Sequence, residues 1–364
     1  MTKWTITAAS IIGSGHINTD IPCHDASSAM LSENGEWVAL VVSDGAGTAI
    51  HSDKSSSLVS ASFAKALIEL SYEIDRRAPG AWVNDFVIEH IIKTRQELRS
   101  LADSDSLQNY HCTLVACLIG SSGGFLIHIG DGAIFGGLTK NIDNKKLSLS
   151  HSPIISLPEN GEYSNETYFI TEGDWIKHLR ITPISPVDWI VLGTDGGTTL
   201  AMIGDKEPKP GFIVPLLNTL SKDLDETSRT EKLKAILSDV QADKLTSDDK
   251  TLCIAYKTKL ASSSLEFEMD ANEAQSSLVG AVGTVVDIKA SIAQKTSTVK
   301  LDSVRNSEQP IIHKKVKRQL LHIFLWVLVS IILIALFIMV YIYTEPIFLK
   351  YLDNINLSFV TLKV

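Results

Sequence analysis

The chain predicts an α+β fold in which antiparallel sheets carry helices on their outer faces. Three observations lead there. Candidate strands come in runs rather than in strict alternation with helices, which argues against a doubly wound parallel sheet. Helical patterns fall into two groups, one in the first half of the body and one near its end. No internal repeat of 20 to 50 residues is present, so a solenoid is excluded.

The elements justify themselves in order. Residues 4–12 and 36–43 are apolar runs rich in β-branched residues and read as strands. Helical spacing follows at 54–74 ("KSSSLVSASFAKALIELSYEI") and at 82–102. Strands are predicted at 112–120 and 124–130, and "LIGSSGGFLI" between them reads as a hairpin. Further strands are predicted at 133–138, 165–170, 188–194 and 251–257, with helices at 212–221 and 226–240.

Composition bounds the function. Hydrophobic residues make up 45% of the chain, enough for a sizeable core in 364 residues. The net charge is −9 and no basic stripe crosses the body, which excludes nucleic acid as a partner. Cys23, Cys112, Cys117 and Cys253 form no Cys-x-x-Cys pair, so they fit neither a zinc site nor a disulfide framework and read as reduced thiols. The first 20 residues lack the layout of a signal peptide, which predicts a cytoplasmic body.

One segment differs from the rest. Residues 320–343, "LLHIFLWVLVSIILIALFIMVYIY", contain no Asp, Glu, Lys or Arg. As a helix they would be about 36 Å long, enough to span a bilayer. The flank "HKKVKR" at 313–318 predicts that the large N-terminal part stays in the cytoplasm. The expected organisation is a body at 1–257, a flexible linker with a basic juxtamembrane end at 258–319, a transmembrane helix at 320–343 and a short extracytoplasmic tail at 344–364. A single-pass protein of a bacterial inner membrane follows as the expectation.

Acidic residues recur at the ends of the apolar strands. Asp44 ends "VALVV" and Asp195 ends "WIVLG", each followed by glycine and neither by a pairing strand. An Asp-Gly hairpin turn needs two strands, so that reading weakens at both. At Asp131 a strand does follow, and a turn remains the simplest reading there. Asp25 lies between the first two strands, and Asp248 and Asp249 precede the last one. Gathered on one rim, such carboxylates repel: two unit charges about 4 Å apart cost on the order of 4 kcal/mol at an effective dielectric of 20. Bound cations relieve that cost, and hard oxygen ligands select magnesium, manganese or calcium over zinc.

The motifs "GSGHINTDIPCHDA", "VVSDGAG", "CTLVACLIG…FLIHIGDGAIF", "DWIVLGTDGG" and "SDDKTLCIA" occur in the order and spacing of the type 2C, metal-dependent serine/threonine protein phosphatases. The chain resembles a bacterial branch of that family over about residues 5–257. The resemblance implies a four-layer α-β-β-α sandwich, two antiparallel sheets face to face with helices outside. It implies that Asp44 bridges two Mn2+ or Mg2+ ions, that the Gly45 carbonyl binds one of them, and that Asp195 and Asp248 complete the site. Asp131 would serve, with Asp195, a third and weaker ion, and Asp25 would hold a metal-bound water. Asp249 stands where the family usually has Asn. The chain departs from the family at the phosphate-binding arginine: no Arg precedes Arg76, and His16 is the candidate for its place. A histidine often found after the first Asp-Gly is Ala46, which leaves His24 and His51 as candidates for the general acid.

The implied reaction is dephosphorylation of phosphoserine and phosphothreonine in proteins at the membrane surface, by in-line attack of a metal-bridged hydroxide without a phosphoenzyme. The implied partners are phosphorylated proteins, a cognate serine/threonine kinase and the lipid bilayer. The rival reading is a catalytically inactive module that docks phosphoproteins or a kinase.

Overall fold

The computed structural model describes residues 4–257, apart from 103–105, 144–145, 150–153, 160–166, 205 and 223–224, together with 266–268. These residues belong to one compact unit, Met1–Lys295. The chain runs β1 (Trp4–Ile11), α1 (Ser14–Ile17), β2 (Ala26–Leu31), β3 (Val38–Ser43), α2 (Ser52–Arg76) and α3 (Ala81–Ala102). After a short 3-10 turn come β4 (Leu114–Gly120), β5 (Gly123–Ile129), β6 (Ala133–Gly137), β7 (Thr139–Asp143), β8 (Lys146–Leu149) and β9 (Ile154–Ser156). Next are α4 (Trp175–His178), β10 (Arg180–Ile184), β11 (Trp189–Gly193), α5 (Asp195–Ala201), β12 (Met202–Ile203) and β13 (Glu207–Pro208). The unit closes with α6 (Pro210–Leu220), α7 (Glu226–Leu237), α8 (Val240–Asp243), β14 (Lys250–Lys257) and β15 (Glu266–Glu268).

Two five-stranded antiparallel sheets form the centre, ordered β1-β14-β11-β6-β9 and β10-β5-β4-β3-β2. Their central strands are apolar on both faces, and the period of two sorts each face to a different core. In β3, Ala39 and Val41 meet α2 and α3, whereas Val38, Leu40 and Val42 point to the facing sheet. In β14, Leu252, Ile254 and Tyr256 meet α6 and α7, whereas Cys253 and Ala255 point between the sheets. Three stacked cores therefore separate four layers, helix, sheet, sheet and helix. Each fully buried Val, Leu or Ile in them contributes roughly 1.5–3 kcal/mol. The serine-rich start of α2 is buried without penalty because Ser55, Ser56 and Ser60 return their hydroxyls to carbonyls three residues back.

The antiparallel sheets and outer helices match the sequence expectation, with four corrections of detail. Of the strand predicted at 165–170, residues 165–166 lie outside the described residues and 167–170 do not form a strand: Thr167 makes a single bridge and a turn follows at Ile170. Asp131 is not in a hairpin. β5 belongs to one sheet and β6 to the other, so the Gly130–Gly132 link carries the chain between layers. Strands β2 and β10 lack apolar alternation and were not predicted; they are edges of a sheet, with mostly half-buried side chains. The span read as a linker contains β15, which pairs parallel with β8.

The free thiols match as well: Cys112, Cys117 and Cys253 are buried and unbridged. The segment 320–343 and the tail 344–364 lie outside the described residues. Among the described residues, no helix is long and apolar enough to cross a membrane.

Candidate active site

Antiparallel pairing explains why distant carboxylates meet. β11 ends where β14 begins, with Gly193 opposite Leu252, so Asp195 and the Asp248–Asp249 pair emerge at one edge. β3 of the other sheet ends at the same rim, and the link between sheets delivers Asp131. Asp44, Asp131, Asp195 and Asp248 together line a pocket of about 700 Å³.

The glycine that follows each of these strand ends serves close approach rather than a turn. Gly45 has an ordinary φ, but a Cβ there would lie 2.6 Å from Cβ of Ser52, in the first turn of α2. A Cβ on Gly196 would lie 2.0 Å from the Asp249 carbonyl. Backbone contacts lock the same places: Asp44 N–H donates to Thr113 Oγ1 at 2.9 Å and Thr113 N–H returns to the Asp44 carbonyl at 2.8 Å. Asp195 opens α5, and its carboxylate accepts the Gly196 N–H.

Electrostatically the cluster is under strain. Burial raises the Asp44 carboxyl well above the usual range, and Asp25, Asp195, Asp131 and Asp248 push it further. Asp131 is pushed up to about 6 by burial and then by Asp195, opposed by its own backbone N–H and the Thr167 hydroxyl, and its Oδ1 is buried with no hydrogen-bond partner among the described residues. Burial and Asp195 also raise Asp248. Among the described residues, no Lys or Arg lines the pocket to relieve this.

Among the described residues, no three His, Cys, Asp or Glu side chains lie close enough together to hold a metal ion between them. That is compatible with small hard cations, which take one or two carboxylates and keep several waters. The donor set of carboxylates without thiols, the unpartnered Asp131 oxygen and the mutual repulsion all fit magnesium or manganese.

The remaining sequence candidates fall into three positions. Asp25 is buried and does not line the pocket; it sits behind the wall, accepting the Thr194 hydroxyl at 2.7 Å. His16, in α1, lines the pocket with Nδ1 2.9 Å from Asp249 Oδ2, which leaves Nε2 for other contacts. His24 also lines it, 4.5 Å from the His16 ring, and burial and His16 hold its imidazole below the usual range. His51 precedes α2 with its ring 5.0 Å from Tyr110 and does not line the pocket.

The structure separates Asp249 from Asp248. Asp249 Oδ1 accepts the Gly13 N–H at 2.7 Å and Oδ2 accepts the His24 N–H at 2.6 Å, so its carboxylate is consumed in pinning the N-terminal loop. Residues Tyr168, Phe169, Glu172 and Asp174 also line the pocket. Tyr168 and Phe169 fall in the predicted strand 165–170, which hides them, and Glu172 and Asp174 lie just after it; the polar "TEGDW" at 171–175 is the available signal for a loop.

A sequence model of the family Protein phosphatase 2C matches residues 12–238. The chain is 29% identical over 264 residues to Serine/threonine-protein phosphatase 3 of Escherichia coli (strain K12), covering 70% of this chain and 98% of that protein. Similar solved structures include the serine/threonine phosphatase Stp1 from Staphylococcus aureus, at 15% identity and a TM-score of 0.45, covering 70% of this chain and 95% of that one. The catalytic domain of the serine threonine protein phosphatase PstP in complex with two manganese ions is 14% identical with a TM-score of 0.41, covering 71% of this chain and 99% of that one.

Proposed function

The chain belongs to the protein phosphatase 2C family, and from that premise we propose that its pocket removes phosphate from phosphoserine and phosphothreonine in proteins, by direct transfer to water. The observation that carries the reading is the convergence of Asp44, Asp131, Asp195 and Asp248 on one pocket that, among the described residues, no Lys or Arg lines. Asp44, Asp195 and Asp248, with the Gly45 carbonyl, would hold two divalent ions, and Asp131 with Asp195 a third. Bound there, such ions supply neutralisation of phosphoryl charge and a water of lowered pKa.

The chain's own residues do the rest. Asp25 and Thr194 brace the floor behind the pocket. His16, held through Nδ1 by Asp249, offers Nε2 to a phosphate oxygen in place of the absent arginine. A covalent phosphoenzyme has no thiolate to form on. Burial pushes the Cys112 thiol up to about 11 and Cys253 to about 12, burial raises Cys117, and burial with Asp249 and Asp25 raises Cys23.

Residues 320–343 are proposed as a membrane anchor that keeps the body on the cytoplasmic face of a bacterial inner membrane, near its kinase and substrates. Support comes from the uncharged stretch and its basic flank.

The test is manganese-dependent hydrolysis of a phosphothreonine peptide by wild type and by Asp44→Asn. Turnover that needs manganese and is lost in D44N supports the reading. Tight phosphopeptide binding without turnover would support the docking module instead. Fractionation of cells expressing the full chain, against a chain ending at 312, tests the anchor.

A further inference from the structure

Lys250 opens β14, and its side chain is fully buried. Burying an ammonium is costly unless it is paired and hydrogen-bonded. Its Nζ donates to Asp243 Oδ1 at 2.8 Å and to the main-chain oxygen of Asp248 at 3.3 Å. The Asp243 carboxylate is 42% exposed, so this pairing alone gives no reason for the lysine to be buried. The carbonyl contact does.

The peptide unit between Asp248 and Asp249 is held at both ends. Its carbonyl receives Lys250 Nζ, and its N–H donates to Oδ1 of Asp248 at 2.8 Å. A cation on the carbonyl draws electron density through the peptide and strengthens the N–H as a donor, as in linked hydrogen bonds generally. That N–H engages one oxygen of Asp248 and leaves Oδ2 for the pocket. Lys250 does not itself line the pocket.

We propose that Lys250 is a positioning residue: through the shared peptide it orients the Asp248 carboxylate and so sets the affinity of the site for a divalent cation. The inference rests on the reading of Asp248 as a cation ligand. Groups that orient metal ligands without touching the metal commonly govern affinity in this way.

Two physical effects of removing Lys250 have opposite signs, which makes the test sharp. Long-range electrostatics predicts that Lys250→Met, which leaves Asp243 uncompensated, binds a dication more tightly. Loss of positioning predicts weaker binding. The experiment is a Mn2+ titration of the full chain by calorimetry and electron paramagnetic resonance. Melting of the metal-free protein is followed in parallel.

The expected result for K250M is affinity at one site weakened about 10-fold or more, while Asp243→Asn, which keeps the ammonium on the carbonyl, stays within about twofold of wild type. K250M binding as tightly as wild type, or more tightly, overturns the proposal, and so does D243N losing as much as K250M. Should K250M fail to fold, Lys250→Gln replaces it, with the same outcomes. A wild-type chain that binds no Mn2+, or binding that D44N leaves untouched, sinks the reading of the site and not this inference alone.

Discussion

His16 and Asp249 meet at 2.9 Å, nitrogen to carboxylate oxygen, across 233 residues of chain. The same carboxylate takes the N–H groups of Gly13 and His24. This single side chain ties the loop that carries two pocket histidines to the turn that carries Asp248. Both neighbouring aspartates line the pocket, but they divide the labour: Asp249 is spent on the clasp, and Asp248 gives one oxygen to the Asp249 N–H and keeps the other for the pocket.

Asp249→Ala is therefore expected to act on stability. It leaves two buried N–H groups unsatisfied, each at about 1–3 kcal/mol. Equilibrium urea unfolding of the metal-free chain should show a loss of that order for D249A and little loss for Asp248→Asn. The reverse order would show that the clasp has been misassigned.

Asp131→Asn is expected to stabilise the metal-free protein at neutral pH. The native carboxyl is raised to about 6, so above the unfolded value of 3.8 the native state holds its proton when the unfolded state has released it. Stability is then lost as pH rises from about 4 through about 6. By pH 7 the loss amounts to about 3 kcal/mol, which D131N removes. Thermal melts at pH 4 and pH 7.5 should show the gain only at the higher pH, and saturating Mn2+ should abolish it.

Much of this was legible beforehand because the period of two is strong in the inner strands. "VALVV" and "WIVLG" are too apolar to be anything but central strands, and the carboxylates at their ends were conspicuous for that reason. The misses have physical causes. β2, "ASSAML", is an edge strand with half-buried serines, so no hydrophobic pattern marks it. Nothing in the sequence tells what Gly45 and Gly196 are for; only the neighbouring Ser52 and the Asp249 carbonyl show that room is what they supply. Lys250 looks like a surface lysine until α8 brings Asp243 over it.

His128 makes the fold sensitive to acid. It is fully buried, its Nδ1 is 2.8 Å from Ser156 Oγ, and burial with the nearby Arg180 holds its pKa down to about 3. Between pH 3 and 6.5 the unfolded chain binds a proton here that the native state refuses, so stability falls as pH falls below about 6.5. Replacing it by Leu should make the slope of stability against pH shallower by up to about 1.4 kcal/mol per pH unit between pH 6 and 4, whatever the variant's absolute stability. An unchanged slope in urea titrations would exclude His128 as the source.

Arg95 governs the outer lip of the pocket. From α3 its guanidinium donates to the Ile170 and Glu172 carbonyls, while His111 engages Thr171 Oγ1 at 2.6 Å and stacks on Phe169 at 4.8 Å. The segment 169–172 is held from two sides, and Phe169 and Glu172 line the pocket. Arg95→Met removes one holder without touching the carboxylates. A small substrate such as p-nitrophenyl phosphate occupies only the inner pocket, so its kcat and KM should stay within about twofold of wild type. A phosphopeptide spans the lip, and its KM should rise several-fold with kcat little changed, the mark of lost uniform binding. Two lost hydrogen bonds cost about 1–3 kcal/mol of stability in addition. Equal losses on both substrates would place Arg95 in the support of the whole domain rather than of the lip.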